Sequence, residues 1–211
     1  MPHTSLCSRY WLMLAACVMM AFATLQAHAQ TAPLLPAPGE EERWQFDSPR
    51  WEKAVTFEGF TLSEEREESR ELLEPTTVKV FHDGTNLHVL YIASDTQPAK
   101  IKADAFEEFA DRVPQGDHGQ LTVGSRHIFA FGPQGNKYDA YLFDREFFSG
   151  FQVRSRVTDK SWQSIVIIPL KALPRDRDGS LRLTFVRHLD RGMDQPQRSY
   201  LAVNKVLLAT E

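Results

Sequence analysis

The sequence predicts an all-β protein built as a two-sheet antiparallel β-sandwich. From Val78 onward, apolar residues alternate with polar ones at a period of two through most of the chain, which is the pattern of half-buried strands. Residues that favour turns separate these segments at short intervals, and helical patterns are few. Seven or more strands separated by turns are typical of two packed sheets.

Residues 1–29 have the features of a cleavable signal peptide. Arg9 supplies a positive charge, an uncharged apolar run follows from Tyr10 to Leu25, and Ala27-His28-Ala29 has the small-x-small pattern of a cleavage site. The run of about 16 residues is shorter than the about 20 that a membrane-spanning helix needs. We therefore expect cleavage after Ala29, no membrane span, and a periplasmic or extracellular protein.

A lipid anchor is the alternative reading of this segment. Leu14-Ala15-Ala16-Cys17 matches a lipoprotein box, in which Cys17 would be lipidated. The apolar run continues from Val18 to Leu25, which favours cleavage after Ala29. Both cysteines of the chain lie in the predicted signal peptide. The mature protein is therefore expected to lack thiol catalysis and thiolate metal sites.

The charge balance argues against nucleic acid and anionic membranes as partners. Removal of Arg9 changes the formal net charge of −4 to −5, and the remaining basic residues form no cluster. Binding to phosphate backbones or to anionic lipid requires a basic patch.

We expect residues 30–43 to be a linker and residues 44–211 to form the folded domain. Pro33, Pro36 and Pro38 disfavour regular structure, and the acidic run at 40–42 favours solvent. Ordered structure should begin near the first large apolar residues, Trp44 or Trp51.

A hairpin is predicted where strands at 78–82 and 87–92 flank Asp83-Gly84-Thr85-Asn86, because Gly84 or Asn86 can adopt the positive φ of a tight turn. The segment 151–158 alternates, so its odd-numbered residues should face a core and its even-numbered ones water. The nearly continuous apolar strand from Trp162 to Ile168 should be covered on both faces and end at Pro169. The other strands are predicted at 127–131, 137–142, 181–187 and 200–208, with a turn at 132–136.

Two segments carry weak helical signals. Residues 104–110 could form two turns capped by Asp104, with Phe106 and Phe109 facing the sheet. Residues 63–73 are charged on nearly all sides, so we expect a solvated excursion there.

The sequence predicts that the protein is not an enzyme. It contains no G-x-S-x-G, H-E-x-x-H, Walker or G-x-G-x-x-G motif. Its histidines outside the signal peptide are scattered, and His82 and His127 fall on strands, where an ordinary hydrogen-bonded role is expected.

Arg187 shares a strand face with Leu181, Leu183 and Phe185, so alternation directs it inward or to the rim of a cleft. A buried guanidinium requires an acidic partner. Two roles follow: a structural ion pair, or a fork of donors for ligand hydroxyls or a carboxylate.

Aromatic side chains are the other candidates for binding, because sugar rings stack their C–H faces on aromatic rings. Trp162 opens the most apolar strand and should be packed, whereas the turn Phe147-Phe148-Ser149-Gly150 could expose one ring. The full set of candidates is Trp44, Trp51, Trp162, Tyr138, Tyr141, Phe147, Phe148 and Tyr200.

Several motifs in order resemble family 9 carbohydrate-binding modules over about residues 44–190. They are Phe46-Asp47 with Trp51-x-x-Ala54, the run from Pro75 to Val89 with Asp95, Gly135-x-x-Tyr138-Asp139, Trp162 through Ile168-Pro169-Leu170, and Gly179 with Phe185-x-Arg187.

The resemblance implies a β-sandwich related to the DOMON-like sugar- and haem-binding domains. Members of the family are non-catalytic, bind sugars or polysaccharide chain ends, serve carbohydrate catabolism beside glycoside hydrolases, and often hold structural calcium. By position, the ligand-binding residues would be Asp117, Tyr138, Asp139 and Arg187. The family's stacking platform does not carry over, so our own candidate for stacking on the sugar is an aromatic residue such as Phe148. The chain departs from the family by lacking the tryptophan expected within 111–121 and by having Gln120 and Ile165 where acidic residues are common.

Two other functions remain open at this stage. A b-type haem electron-transfer module of the same fold would use Met193 as an axial ligand opposite a histidine or lysine. An interaction domain of the cell envelope would use the sandwich as a scaffold only.

Overall fold

The computed structural model describes residues 29–62, 74–102, 116–142, 144, 147–194 and 196–210. The signal peptide with Cys17, the solvated excursion at 63–73 and the helix at 104–110 were predicted for residues outside these ranges. Within them, no helix is long and apolar enough to cross a membrane.

Twelve strands in the described ranges form two sheets that pack face to face, which confirms the predicted β-sandwich. The larger sheet has the order β1-β12-β11-β6-β7-β8, with β3 also paired to β12; the smaller has the order β2-β4-β5-β10-β9. The strands are β1 Gln30–Ala32, β2 Val55–Phe57, β3 Thr61–Leu62, β4 Thr76–His82, β5 Asn86–Ser94, β6 His118–Val123, β7 His127–Phe131, β8 Lys137–Tyr141, β9 Gln152–Val157, β10 Ser161–Pro169, β11 Leu181–Leu189 and β12 Gln197–Leu208.

Helix is confined, in the described residues, to single turns. The α-helix α1 spans Arg50–Lys53, and three 3₁₀ turns span Glu42–Trp44, Pro98–Lys100 and Leu170–Ala172. The sheets and the turns between them therefore position every side chain considered below.

The first predicted hairpin forms as expected. Gly84 takes a φ of 84°, and the Asp83 carboxylate accepts the N–H groups of Thr85 at 2.8 Å and Asn86 at 2.6 Å. A side chain that accepts hydrogen bonds from the backbone two and three residues ahead stabilises the turn that joins the two strands.

The Pro-rich segment expected to be a linker is part of the fold instead. Strand β1 pairs in parallel with the end of β12, and Leu34 forms a bridge with His82. Ordered structure thus begins well before Trp44, which corrects the predicted domain boundary. The prolines are tolerated because β1 ends at Ala32, so Pro33 owes no ladder donor.

The main core lies between the two sheets, and Trp162, Tyr91 and Phe131 form its largest aromatic group. Trp162 is fully buried, as predicted. A second apolar cluster covers the outer face of the smaller sheet, where Trp51 packs on Phe81 at 5.0 Å between ring centroids. The chain between β1 and β2 therefore acts as a third, partial layer.

Candidate functional site

Arg187 lies on the inner face of β11 and is 1 % exposed. It opposes Gly119 of β6 in the ladder, and a Cβ at Gly119 would lie 2.5 Å from Phe131 and 3.1 Å from Tyr91. Because Gly119 has no side chain, the rings of Phe131 and Tyr91 can pack directly against the backbone of β6.

The contacts of the Arg187 guanidinium include the structural ion pair, one of the two roles expected from the sequence. Its Nη1 donates to the carbonyl of Pro75 at 3.1 Å, and its Nη2 lies 3.6 Å from the Asp95 carboxylate. Burial lowers the pKa of Arg187, against the attraction of neighbouring negative groups. The ion pair with Asp95 holds β11 to the smaller sheet, and the buried Nε and Nη2 of Arg187 have no hydrogen-bond partner among the described residues.

Arg191 completes a network that the sequence reasoning missed. Its Nη2 lies 2.6 Å from Oδ1 of Asp95 and also donates to Glu74. Burial would raise the pKa of Glu74, but hydrogen bonds from Thr96 and Arg191 hold it below its ordinary value. These groups are far apart in sequence, so no local pattern reveals their association.

Asp117 is 2 % exposed and links chain segments at the same end of the sandwich as Arg187 and Arg191. Its carboxylate accepts the backbone N–H groups of Lys102 at 2.8 Å and of Asp190 and Arg191 at 3.1 Å each. The structure thus brings Asp117 and Arg187 into one neighbourhood, where both hold chain segments together.

Asp139 has a comparable task at the β8 edge. Its Oδ2 accepts the Ser149 N–H at 2.8 Å and also the Ser149 hydroxyl. Ser149 in turn accepts the N–H of Phe151 at 3.1 Å, and the Phe151 ring packs on Phe129 in the core. These contacts therefore fix the part of the β8–β9 connection that lies just before β9.

The rings beside this connection form the aromatic edge, which we define as Tyr141, Phe147 and Phe148. Phe147 packs on Tyr141 and His127, with centroids 5.8 and 5.3 Å apart. Phe148 is 61 % exposed, the largest exposed fraction among the large apolar side chains described. His127 contacts the rings of Tyr141 and Phe147, and its Nδ1 has no hydrogen-bond partner among the described residues.

Tyr138 points to the other face of β8. It pairs with Ala130, in register with Gln120 and Val186 on the outer face of the larger sheet. Successive residues of a strand face opposite sides, so the adjacent Tyr138 and Asp139 point to opposite faces of the larger sheet.

The five predicted site residues therefore do not form a single pocket. Asp117 and Arg187 lie at the network end, while Asp139 and Phe148 adjoin at the aromatic edge. Strands β11 and β8 are three positions apart in the sheet, a separation of about 14 Å at the usual strand spacing.

The resemblance allows a structural calcium, so the grouping of possible ligand side chains is relevant. Among them no three carboxylate or imidazole side chains are grouped so as to hold a metal ion. Glu74 and Asp95 face the guanidinium of Arg191, which already supplies the balancing charge. Met193, the candidate haem ligand, lies in a turn where its N–H donates to the Asp190 carbonyl at 2.7 Å.

Two grooves flank the turn after β4, at the end of the sandwich opposite the network. One, of about 650 Å³, is lined by Pro33, Leu34, Leu35, Pro36, Asp83, Ala209 and Thr210. The other, of about 640 Å³, is lined by Gly84, Thr85, Pro169, Leu170, Lys171, Leu173 and Arg175. Neither contains a residue that the sequence reasoning assigned to a site.

Comparison with solved structures identifies similar folds. A family 9 carbohydrate-binding module from Caldicellulosiruptor kristjanssonii in complex with cellotriose has a TM-score of 0.57 and 10% sequence identity, over 86% of this chain and 94% of that one. The glucose complex of such a module from the same organism has a TM-score of 0.56 and 10% identity, over 86% and 97%. A candidate carbohydrate-binding protein from Bacteroides uniformis has a TM-score of 0.55 and 8% identity, over 86% and 100%.

No family profile matches the chain, and no curated protein matches its sequence. The structural likeness confirms the resemblance inferred from the sequence at the level of fold. The chain has the β-sandwich fold of family 9 carbohydrate-binding modules.

Proposed function

We propose that the protein is an exported, non-catalytic carbohydrate-binding module whose sugar-binding surface is centred on Phe148. The observation that carries the proposal is the 61 % exposure of this ring beside Phe147 and Tyr141. An exposed apolar ring costs solvation free energy in a free protein, and such patches mark binding surfaces. The C–H face of a pyranose is a suitable partner for it.

The scaffold around Phe148 supports this role. Asp139 and Ser149 fix the loop directly after the ring, so little conformational entropy remains to be lost when a ligand binds. The Asp139 carboxylate is engaged within the protein, which supports binding rather than acid–base chemistry at this edge.

The fold likeness guides the choice of ligand. The family 9 module with the same fold binds cellotriose and glucose in its crystal structures, so a neutral β-linked glucose oligomer is the first ligand to test. The exposed ring of Phe148 is the feature of this chain that supports sugar binding independently of the fold.

Export rests on the signal-like segment at 1–29. Cleavage after Ala29 would leave Gln30, the first residue of β1, which pairs with Val206. The mature chain would then keep every strand of the described fold. Mass spectrometry of the N-terminus after expression with the full leader tests this: a chain starting at Gln30 supports export, and an uncleaved or Cys17-lipidated chain contradicts the assigned cleavage.

Calorimetric titration of the mature chain with cellotriose and glucose tests sugar binding, and a glycan array extends it to other neutral sugars. Phe148→Ala should weaken binding by about tenfold or more, as expected for the loss of a stacked ring. Val157→Ala is the matched control, since Val157 is also exposed, at 50 %, but lies outside the aromatic edge. The proposal would be overturned if the protein bound none of the neutral glycans.

A further inference from the structure

The outer face of the smaller sheet carries two arginines, each placed over an aromatic ring. The guanidinium carbon of Arg154 lies 5.1 Å from the centroid of Trp44, and that of Arg156 lies 4.5 Å from the centroid of Phe46. Both arginines belong to β9, which is the edge strand of its sheet. Residues two apart in a strand share a face and lie about 7 Å from each other, so the two stacks are neighbours.

The guanidinium that lies over Phe46 binds a carboxylate of the protein itself. Nη1 and Nη2 of Arg156 donate to the two oxygens of Asp47 at 2.9 and 2.8 Å, and Nε donates to Gln163. The hydrogen bond from Arg156 lowers the pKa of Asp47. Paired, parallel N–H···O bonds of this kind are the geometry in which arginine recognises a carboxylate.

No carboxylate of a described residue binds the guanidinium that lies over Trp44. Arg154 is exposed, and it forms no hydrogen bond or ion pair with any residue that the structure describes. Its partner in the ladder is the apolar Ile165. Contact with the Trp44 ring restricts the guanidinium, so less entropy is lost when its donors bind a ligand.

Three acidic groups on the neighbouring segment contact other arginines. Glu42 accepts hydrogen bonds from Arg50, Glu40 lies 3.9 Å from Arg43, and Asp47 is held by Arg156. Arg154 therefore stands as a positively charged fork beside a half-buried indole.

We propose that Arg154, stacked on Trp44, is an accessory site for the carboxylate of an acidic glycan, such as a uronic acid unit. A uronic acid combines the two features of the site, because its carboxylate suits the fork and its C–H surface suits an adjacent ring. The choice of a glycan rests on the proposed function, but the site lies on the smaller sheet, apart from the aromatic edge. Loss of one site should leave the other intact.

Affinity electrophoresis of the mature chain in gels containing polygalacturonate tests the proposal at low ionic strength. Fully methyl-esterified polygalacturonate is the matched ligand without charge, and galacturonate monomer and acetate separate glycan recognition from general carboxylate binding. We expect retardation by polygalacturonate only, and Arg154→Gln should weaken it by about tenfold. Arg154→Lys, which keeps the charge but loses the fork, should also weaken it.

Asp47→Asn provides a gain-of-function arm, because it frees the Arg156 fork beside Arg154; it should strengthen binding of polygalacturonate. Phe148→Ala should not change it, which separates this proposal from the first one. The proposal is overturned if the wild type ignores polygalacturonate, if acetate competes as well as galacturonate units, or if Arg154→Gln or Arg154→Lys binds like the wild type. Thermal unfolding of each variant confirms that the fold is retained.

Discussion

Asp139 and Ser149 are joined by two hydrogen bonds at the edge of the sandwich, one to the N–H at 2.8 Å and one to the hydroxyl. Phe148 immediately precedes Ser149, so this pair positions the exposed ring. From the sequence, the Asp139 carboxylate was expected to bind the ligand. In the structure it binds Ser149 and so supports Phe148, the residue that we expect to contact sugar.

Ser149→Ala should therefore reduce both stability and sugar affinity. The variant loses the hydroxyl that donates to Asp139 and accepts from Phe151, and we expect a loss of about 1–2 kcal/mol in the free energy of unfolding. Urea unfolding and titration with cellotriose measure the two effects. Ser125→Ala, in an exposed turn, should change neither; equal behaviour of the two variants would contradict the supporting role.

Gly119→Ala should destabilise the core. A Cβ there would lie 2.5 Å from the Phe131 ring, which is fully buried and cannot move away freely. We expect a loss of about 1–3 kcal/mol or more, measured by urea unfolding. The control is Gly39→Ala, where nothing lies within 4 Å of the new methyl group; a Gly119→Ala protein as stable as this control would show that β6 is placed differently.

Arg191→Met should be among the most damaging substitutions at the network end. Its side chain is 6% exposed and balances Glu74 and Asp95, so its removal leaves buried charge and should cost about 3–5 kcal/mol. Arg182→Met removes an exposed pair with Asp176, 3.1 Å apart, and should cost about 1 kcal/mol or less. Similar losses for the two variants would argue against a buried network.

His188 should titrate far below the ordinary range. It stacks on His118 with ring centroids 4.0 Å apart, and burial, with the charges of His118 and Arg198, lowers its pKa from 6.5 to about 3. The unfolded chain therefore binds this proton at higher pH than the native one. Stability should rise with pH between about 3 and 6.5. NMR titration should find His188 neutral at pH 5, and His188→Gln should reduce the pH slope in urea unfolding; titration near pH 6.5 would contradict the burial.

Alternation predicts the strands whose own residues carry a clear local pattern. The hairpin closed by Gly84 and the buried strand from Trp162 follow from local pattern, since a turn residue and a run of apolar side chains state their environment directly. The inward direction of Arg187 was predictable for the same reason. Its partner Asp95 lies far away in the sequence, and a single sequence does not show which distant residues are close in space.

Strands β1 and β6 show what local pattern cannot reveal. β1 is stabilised by parallel pairing with Val206, near the opposite end of the chain. No local pattern indicates that partner, and the prolines that follow β1 suggested a linker. β6 carries Gly119 in the centre of the larger sheet, where low strand propensity is outweighed by the close approach of Phe131. Exposure of Phe148 likewise depends on long-range packing of the loop, and the sequence indicated only that a ring of that turn could reach solvent.

Calorimetric titration of cellotriose into the mature wild-type protein and into Phe148→Ala tests whether the exposed ring of Phe148 binds sugar. We expect saturable binding by the wild type, an affinity lower by about tenfold or more in Phe148→Ala, and no change in Val157→Ala. Binding that is equal in all three proteins, or absent in the wild type for cellotriose and every other neutral glycan, would contradict it.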